Sequence, residues 1–307
     1  TGENLIGLDG KLNPKATLGR MYEYNGKKFY ILPDNWKDAA YRHGFRQEYN
    51  VNISGGDSKI SYYSSIGYLK EKGVLENSGY ERFTARLKAD YQATDWLHLL
   101  ANASYVHADR ESNPNLSNTN SNASNLGYFT QYISPIYPIY VRTIDANGNP
   151  VIATDRFGHP QYDFGVPATN FQGLNGRPFS QTGNPLGSNR YNKVNDILDQ
   201  LQGQLNFDIT FTPWLKFNST NSITLILSRF SHYENPFIGN AAATNGSIDK
   251  YTDVSYRWNY VQTLNAHKVF GLHDVQLMVG HEWYKMNYNF LEALARGGFS
   301  PAIQEIN

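Results

Sequence analysis

The chain has 307 residues, with 27 Lys+Arg against 27 Asp+Glu, a pI near 7.1 and no cysteine. Balanced charge speaks against a nucleic-acid protein, which carries a basic excess, and the missing thiols exclude a disulfide framework or a thiolate metal site. Mean hydropathy is −0.55, and no apolar run approaches the roughly 18 residues of a membrane-spanning helix. The 23 Tyr and 16 Phe in so hydrophilic a chain suit either a transmembrane β-barrel or a soluble sugar-binding sandwich.

Thr1 opens the sequence without an initiator Met or a signal-peptide pattern, and the terminal AIQEIN does not resemble a closing barrel strand. The sequence therefore reads as an internal piece of something larger. Residues 1–45 carry turn chemistry (Asp9-Gly10, Asn25-Gly26, Pro33-Asp34) around one apolar run, Lys28–Leu32. They are expected to be loop with a small hairpin.

Eight strands are predicted at 46–54, 58–70, 80–92, 97–108, 197–211, 215–231, 252–269 and 274–288. Soluble strands usually run about 5–6 residues, and a strand tilted across a bilayer needs about 9–11. Between Arg82 and Gln92, Phe83, Ala85, Leu87, Ala89 and Tyr91 alternate with Arg82, Thr84, Arg86, Lys88, Asp90 and Gln92. Side chains of a strand point to opposite faces in turn, so one face is apolar and the other polar. The pattern returns where Leu201, Leu205, Phe207, Ile209 and Phe211 alternate with Gln200, Gln202, Gln204, Asn206, Asp208 and Thr210. Four residues break it on the apolar side (Ser219, Asn221, Gln262, His281) and two on the polar side (Leu100, Val106), through register bulges or contact with protein.

Short connections (Gly55–Asp57, Thr94–Trp96, Thr212–Trp214, Gly271–Asp274) alternate without exception with long ones (71–79, 109–196, 232–251). Short turns on one side and long loops on the other are the habit of an outer-membrane up-and-down barrel. Two short turns share the pattern Thr-x-Trp-Leu. Tyr91, Trp96, Phe211, Trp214 and Phe270 then supply a lower aromatic girdle, and Tyr68, Tyr105, Tyr256, Trp258 and Trp283 an upper one. The competing reading makes them core aromatics of a soluble sheet.

The run from Glu48 to Leu97 resembles the barrel signature of SusC/RagA-type TonB-dependent transporters. The matching elements are NVNISGG at Asn50–Gly56, Tyr62–Tyr68 leading into Gly73, and SGYERFTAR at Ser78–Arg86. Trp36 with Asp38 fits the approach to that signature. Later matches are NPLGSNRY at Asn184–Tyr191, Leu205–Phe217, and GLHDVQLMVGHE at Gly271–Glu282. The resemblance implies a bacterial outer-membrane protein: a 22-stranded barrel of which these eight strands are about a third, an N-terminal plug and a TonB box. It also implies a SusD-like surface lipoprotein as a lid, and oligosaccharides or peptides as cargo. Plug and TonB box match nothing in these residues. A passive porin-like or adhesin barrel and a soluble carbohydrate-binding β-sandwich are the alternatives.

Eight scattered histidines show no HExxH spacing, and no GxSxG, P-loop or Rossmann fingerprint appears, so no catalytic or metal constellation is predicted and the protein is not expected to be an enzyme. Asp145, Asn147 and Asn149 around Gly148 faintly resemble a calcium loop, but their strand-like flanks favour a hairpin turn. The long loop 109–196 is the functional candidate. After an Asn/Ser tract, Asn113–Asn125, it carries Tyr128, Phe129, Tyr132, Tyr137 and Tyr140, stiffened by Pro135 and Pro138. Tyr162, Phe164, Phe171 and Phe179 follow. These rings either contact substrate or lid, or pack the loop on itself. On the polar face, Arg82, Arg86, Lys88, Asp90, Gln202, Gln204, Asn206 and Asp208 either line a substrate route or meet the plug.

Overall fold

The computed structural model describes residues 20–24, 26–112, 125–134, 137–155, 158–164, 183–237, 240–298 and 304–306. Strands β1 (Arg20–Tyr24) and β2 (Lys27–Ile31) form the expected hairpin, turned at Gly26, whose φ of +72° is easy only for glycine. A helix follows, α1 (Trp36–Ala40), which alternation does not announce. Its signal is a cap: Asn35 Oδ1 accepts the N–H groups of Lys37 and Asp38 at 3.2 Å, two donors a helix start leaves unpaired.

Four long strands come next, β3 (Phe45–Gly56), β4 (Ile60–Lys72), β5 (Gly79–Thr94) and β6 (Leu97–Ser112). The long connection holds α2 (Leu126–Tyr132), β7 (Arg142–Ile144), β8 (Pro150–Ile152) and α3 (Pro185–Tyr191). Then run β9 (Lys193–Thr212), β10 (Leu215–Glu234), β11 (Ser247–Phe270) and β12 (His273–Arg296), with a 3-10 turn at Asn240–Thr244. All eight predicted strands form. They pair antiparallel in chain order, β3 to β6 and then β9 to β12, as one open up-and-down sheet. Several run further toward the long connections than predicted, because backbone pairing continues above the level where apolar residues stop alternating.

Register carries each face across the sheet. Ile66, Ala85, Tyr105, Leu201, Leu225 and Tyr256 are successive partners on the apolar face; Ser65, Arg86, Ser104, Gln202, Thr224 and Arg257 are their counterparts on the polar face. Among the described residues, the only irregularities in the ladders of this sheet lie beside short turns, at Gln92/Thr94 and Leu215/Lys216. Mid-strand bulges therefore do not explain the exceptions. Ser219, Asn221, Gln262 and His281 stand on the apolar face in register, where they satisfy one another: Gln262 Oε1 lies 2.9 Å from His281 Nδ1, and Asn221 Nδ2 donates to Ser219 Oγ at 3.1 Å. Leu100 and Val106 stay on the polar face.

Nothing among the described residues covers the apolar face. Val51, Ile53, Ile66, Leu87 and Leu277 each remain more than half exposed. The soluble sandwich is thereby corrected, since it needs a second sheet over this stripe and a water-exposed band of this size would drive aggregation. The one other sheet among the described residues is small, in the order β1-β2-β7-β8, and joins the N-terminal hairpin to the long connection. The β7–β8 turn and the turn that follows β8 share one hydrogen bond, with Gly148 N–H donating to the Asp145 carbonyl and Gly158 N–H to the Asp155 carbonyl, both glycines at positive φ. The β7–β8 connection is thus the hairpin expected around Asn147-Gly148. Asp145 Oδ1 accepts the N–H of Asn147 at 2.9 Å and of Asn149 at 2.8 Å.

Candidate functional site

A dry core sits at the end of the sheet that carries the long connections. Trp36, Ala40, Leu75, Leu126, Phe129, Ile133, Ile139, Tyr162, Phe164 and Leu186 pack together there, drawn from α1, the β4–β5 loop and the long connection. Each helix of this cap is short and starts on an Asn: Asn35, Asn125 and Asn184. Asn184 is fully buried and acts as a pin. Its Oδ1 caps α3 through Gly187 N–H at 3.1 Å, while its Nδ2 donates to the carbonyls of Ile139 and Asp163 at 3.0 and 2.9 Å. The side chain of Asn189 donates to the Glu76 carbonyl, that of Asn77 to the Asn189 carbonyl, and Arg190 pairs with Glu76. Arg142 forms a two-pronged ion pair with Asp34, at 2.6 and 3.0 Å, and Asp34 also accepts Ile139 N–H at 2.8 Å. The cap is a folded module tied to the N-terminal segment.

This core divides the seven predicted contact aromatics. Phe129, Tyr162 and Phe164 are buried in it, and Phe129 rests on Trp36 with ring centroids 4.7 Å apart. Of the two roles expected of these rings, the buried three take the second, packing the loop on itself. Burial pushes the Tyr162 phenol well up and that of Tyr191 up to about 12, so both stay neutral. Tyr137 and Tyr140 lean partly buried against the same cluster. Tyr132 is 62% exposed, its ring 4.4 Å from that of Tyr128 and tilted 30° to it, so Tyr132 is the member of the set that faces outward. Phe171, Phe179, Pro135 and residues 113–124 of the polar tract lie outside the described residues.

Below the cap, the girdle residues fall into two levels. Tyr91, Trp96, Phe211, Trp214 and Phe270 are exposed around the short turns, and Lys268 Nζ lies 5.7 Å from the Trp214 ring and 5.3 Å from that of Phe270. A lysine over interfacial rings suits a headgroup layer. At the other level, Tyr256 stacks with Trp258 at 6.2 Å, and Tyr260 lies 5.2 Å from Trp283. Tyr68 and Tyr105 show the direction: their hydroxyls donate upward to Glu81 at 2.8 Å and Asp199 at 2.7 Å. Immediately above, the same face turns charged, with Lys70–Glu81 at 2.8 Å and Arg229–Asp199 at 2.6 Å. From Tyr91 up to Phe83 the strand spans ~20 Å along the normal, taking about 3.4 Å per residue and a tilt near 40°. An apolar band bounded by rings and then by charge is a lipid-facing wall.

The polar face carries all eight predicted lumen residues in register. Two are committed to a partner that sequence reasoning passed over. His98 sits between Asp90, 2.9 Å from its Nε2, and Asp208, 3.0 Å from its Nδ1. Asn218 donates to Asp208 at 2.7 Å, and Asn265 to Asn218 at 2.9 Å, so the relay crosses five strands. The signal was available: His98 follows Trp96 at the parity of Asp90 across the turn. Arg82, Arg86 and Lys88 form no ion pair within 4.0 Å among the described residues. A second feature missed was an aromatic row higher on this face, Phe230, Tyr251 and Phe290.

These features define one class of protein, the wall of a membrane β-barrel with a folded cap over one rim. No protein-family model matches the chain. Among curated proteins it is 24% identical over 281 residues to the TonB-dependent receptor SusC of Bacteroides thetaiotaomicron, covering 84% of this chain and 24% of that protein. Over 61 residues it is 36% identical to the TonB-dependent receptor P39 of Formosa agariphila, 20% of this chain and 6% of that one. Among solved structures, the RagAB peptide importer in its closed-closed state matches with a TM-score of 0.64 at 18% identity, over 91% of this chain and 29% of that chain. The open-open state of RagAB matches equally, 0.64 over 95% of this chain. In sequence and in fold, then, the chain is similar to a stretch of the barrel of SusC/RagA-type TonB-dependent transporters of the outer membrane. It spans about a quarter of the length of SusC.

Proposed function

We propose that this chain builds part of the wall and the extracellular cap of an active importer. Oligosaccharides or peptides too large for passive diffusion bind at the capped mouth, and a SusD-like surface lipoprotein closes over it. TonB supplies the energy through a plug held elsewhere in the protein. The work is binding and gating, with no bond made or broken. The observation that carries this reading is the pairing of a lipid-facing band with a folded cap on the same rim. A passive pore has little use for a cap pinned by Asn184 and by the Arg142–Asp34 pair.

Two assignments follow from the same reading. The segment 1–45 approaches the barrel from the extracellular side, since the β3 end at Phe45 lies among the long connections. Arg82, Arg86 and Lys88 meet acidic groups of whatever fills the lumen, because cations left without a partner on a plugged wall face protein. Removing 113–192 from the intact protein, with a short turn joining β6 to β9, tests the proposal. Uptake of the nutrient is expected to stop while the barrel still inserts, read by heat-dependent gel migration of outer-membrane fractions. Undiminished uptake would refute the cap's role.

A further inference from the structure

High on the polar face, three neighbouring strands bring aromatic rings into a row. Phe230 of β10 and Tyr251 of β11 are register partners, stacked with centroids 4.6 Å apart and planes 16° from parallel. Phe290 of β12 continues the row, 5.7 Å from Tyr251. Phe230 shares the parity of Thr224 and Gln202, so the row is on the conduit side. From Leu215 to Phe230 the strand climbs ~40 Å at about 3.4 Å per residue and a tilt near 40°, whereas an apolar band is about 25 Å tall. At this height the opposite face bears the Arg229–Asp199 pair. These rings therefore meet neither lipid nor the membrane interface, and they stand in the mouth of the conduit.

The surroundings narrow what they recognise. The residues of β10 and β11 that carry Phe230 and Tyr251 are paired on both sides, so an extended peptide finds no free backbone edge at these two rings and cannot join there as a strand. Recognition has to run through side chains. Phe290 is 51% exposed beside Asp253, a carboxylate already accepting the Tyr288 hydroxyl at 2.8 Å. A carboxylate that accepts one hydroxyl keeps lone pairs for another, and a sugar presents hydroxyls. Ring faces for C–H surfaces, bordered by planar polar groups for hydroxyls, are the two halves of a sugar site.

We propose that Phe230, Tyr251 and Phe290, with the Asp253 carboxylate beside them, form an oligosaccharide-binding subsite in the extracellular mouth. This rests on the import reading above and selects the saccharide branch of it. The test titrates the intact protein in detergent micelles with heptasaccharides of α-glucose, β-glucose and mannose, and with a pool of tryptic peptides. Phe290→Leu and Tyr251→Leu keep the apolar volume and remove the ring; Phe290→Trp restores one. At least one heptasaccharide should bind, about tenfold more weakly to each Leu variant, with affinity recovered in F290W. Unchanged affinity in correctly folded Leu variants, no saccharide binding at all, or a loss confined to the peptides overturns the subsite. Energy-dependent uptake is measured in parallel on cells. If the Leu variants import normally, the subsite falls and the importer stands. Should the wild type show no energy-dependent uptake, the importer reading falls, while the micelle titration still decides the subsite.

Discussion

At the scale of single residues, the cap and the sheet answer to different solvents. Arg142 and Asp34 are largely buried and bonded to each other, so Asp34→Ala strands a guanidinium inside the cap. A loss of about 3–5 kcal/mol is expected, read as faster limited proteolysis near the β7–β8 hairpin. Gly187 is held by close approach: a Cβ there would lie 2.7 Å from the Tyr162 ring. Gly187→Ala should therefore cost about 1–3 kcal/mol through overpacking, seen as lowered cap protection in hydrogen exchange. On the sheet the rule is set by the face. Leu87 stands mid-band on the apolar side, so Leu87→Arg should destabilise the barrel in vesicles by about 2–4 kcal/mol. Gln202→Arg on the polar side should be nearly neutral. Equal costs for the two would mean that the faces have been assigned to the wrong solvents.

Elements were legible in proportion to their length and period. The eight strands could be read because period two was sustained far past what a soluble strand needs, and because turn residues punctuated it at Gly55–Asp57 and Thr212–Trp214. The helices could not, since five to seven residues make one or two turns and show no apolar stripe. Their caps were visible all the same: Asn184 followed by Pro185 is a helix start by its chemistry. The β7–β8 hairpin carries its own pH dependence. The Asn149 N–H donates to Asp145 and holds that carboxyl below its ordinary value. Folded-state depression means that the stabilisation is present above the unfolded pKa of about 3.9 and is lost as pH falls through the folded value. Protection factors for amide exchange at Asn147 and Asn149, taken against the intrinsic rate at each pH, should fall below that window and be flat above it; Asp145→Asn should abolish the step.

For the whole molecule, the open sheet leaves β3 and β12 with one unpaired edge each among the described residues. Unpaired edges are rows of free N–H and C=O groups that lipid cannot satisfy, so the strands only make sense in a membrane as part of a closed ring. The 24% and 29% coverage of SusC and of the RagAB chain fits that requirement. Expressed alone, residues 45–298 should therefore aggregate or fail to insert, whereas the intact protein inserts. Gel migration of unheated samples distinguishes the two.

What the sequence determined by itself was local and periodic: two-faced strands, their turns, the alternation of short and long connections, and the motifs from Asn50 to Arg86 that resemble SusC/RagA-type barrels. Each of these depends on neighbours a few positions apart. The tertiary structure decided everything that depends on pairing across distance. It enclosed Phe129, Tyr162 and Phe164 while leaving Tyr132 outside, set His98 between Asp90 and Asp208, and aligned Phe230 with Tyr251 and Phe290. The physical reason is that a strand's own pattern specifies which face a side chain takes, but its neighbours along the sheet follow from register, and register is a property of two strands together.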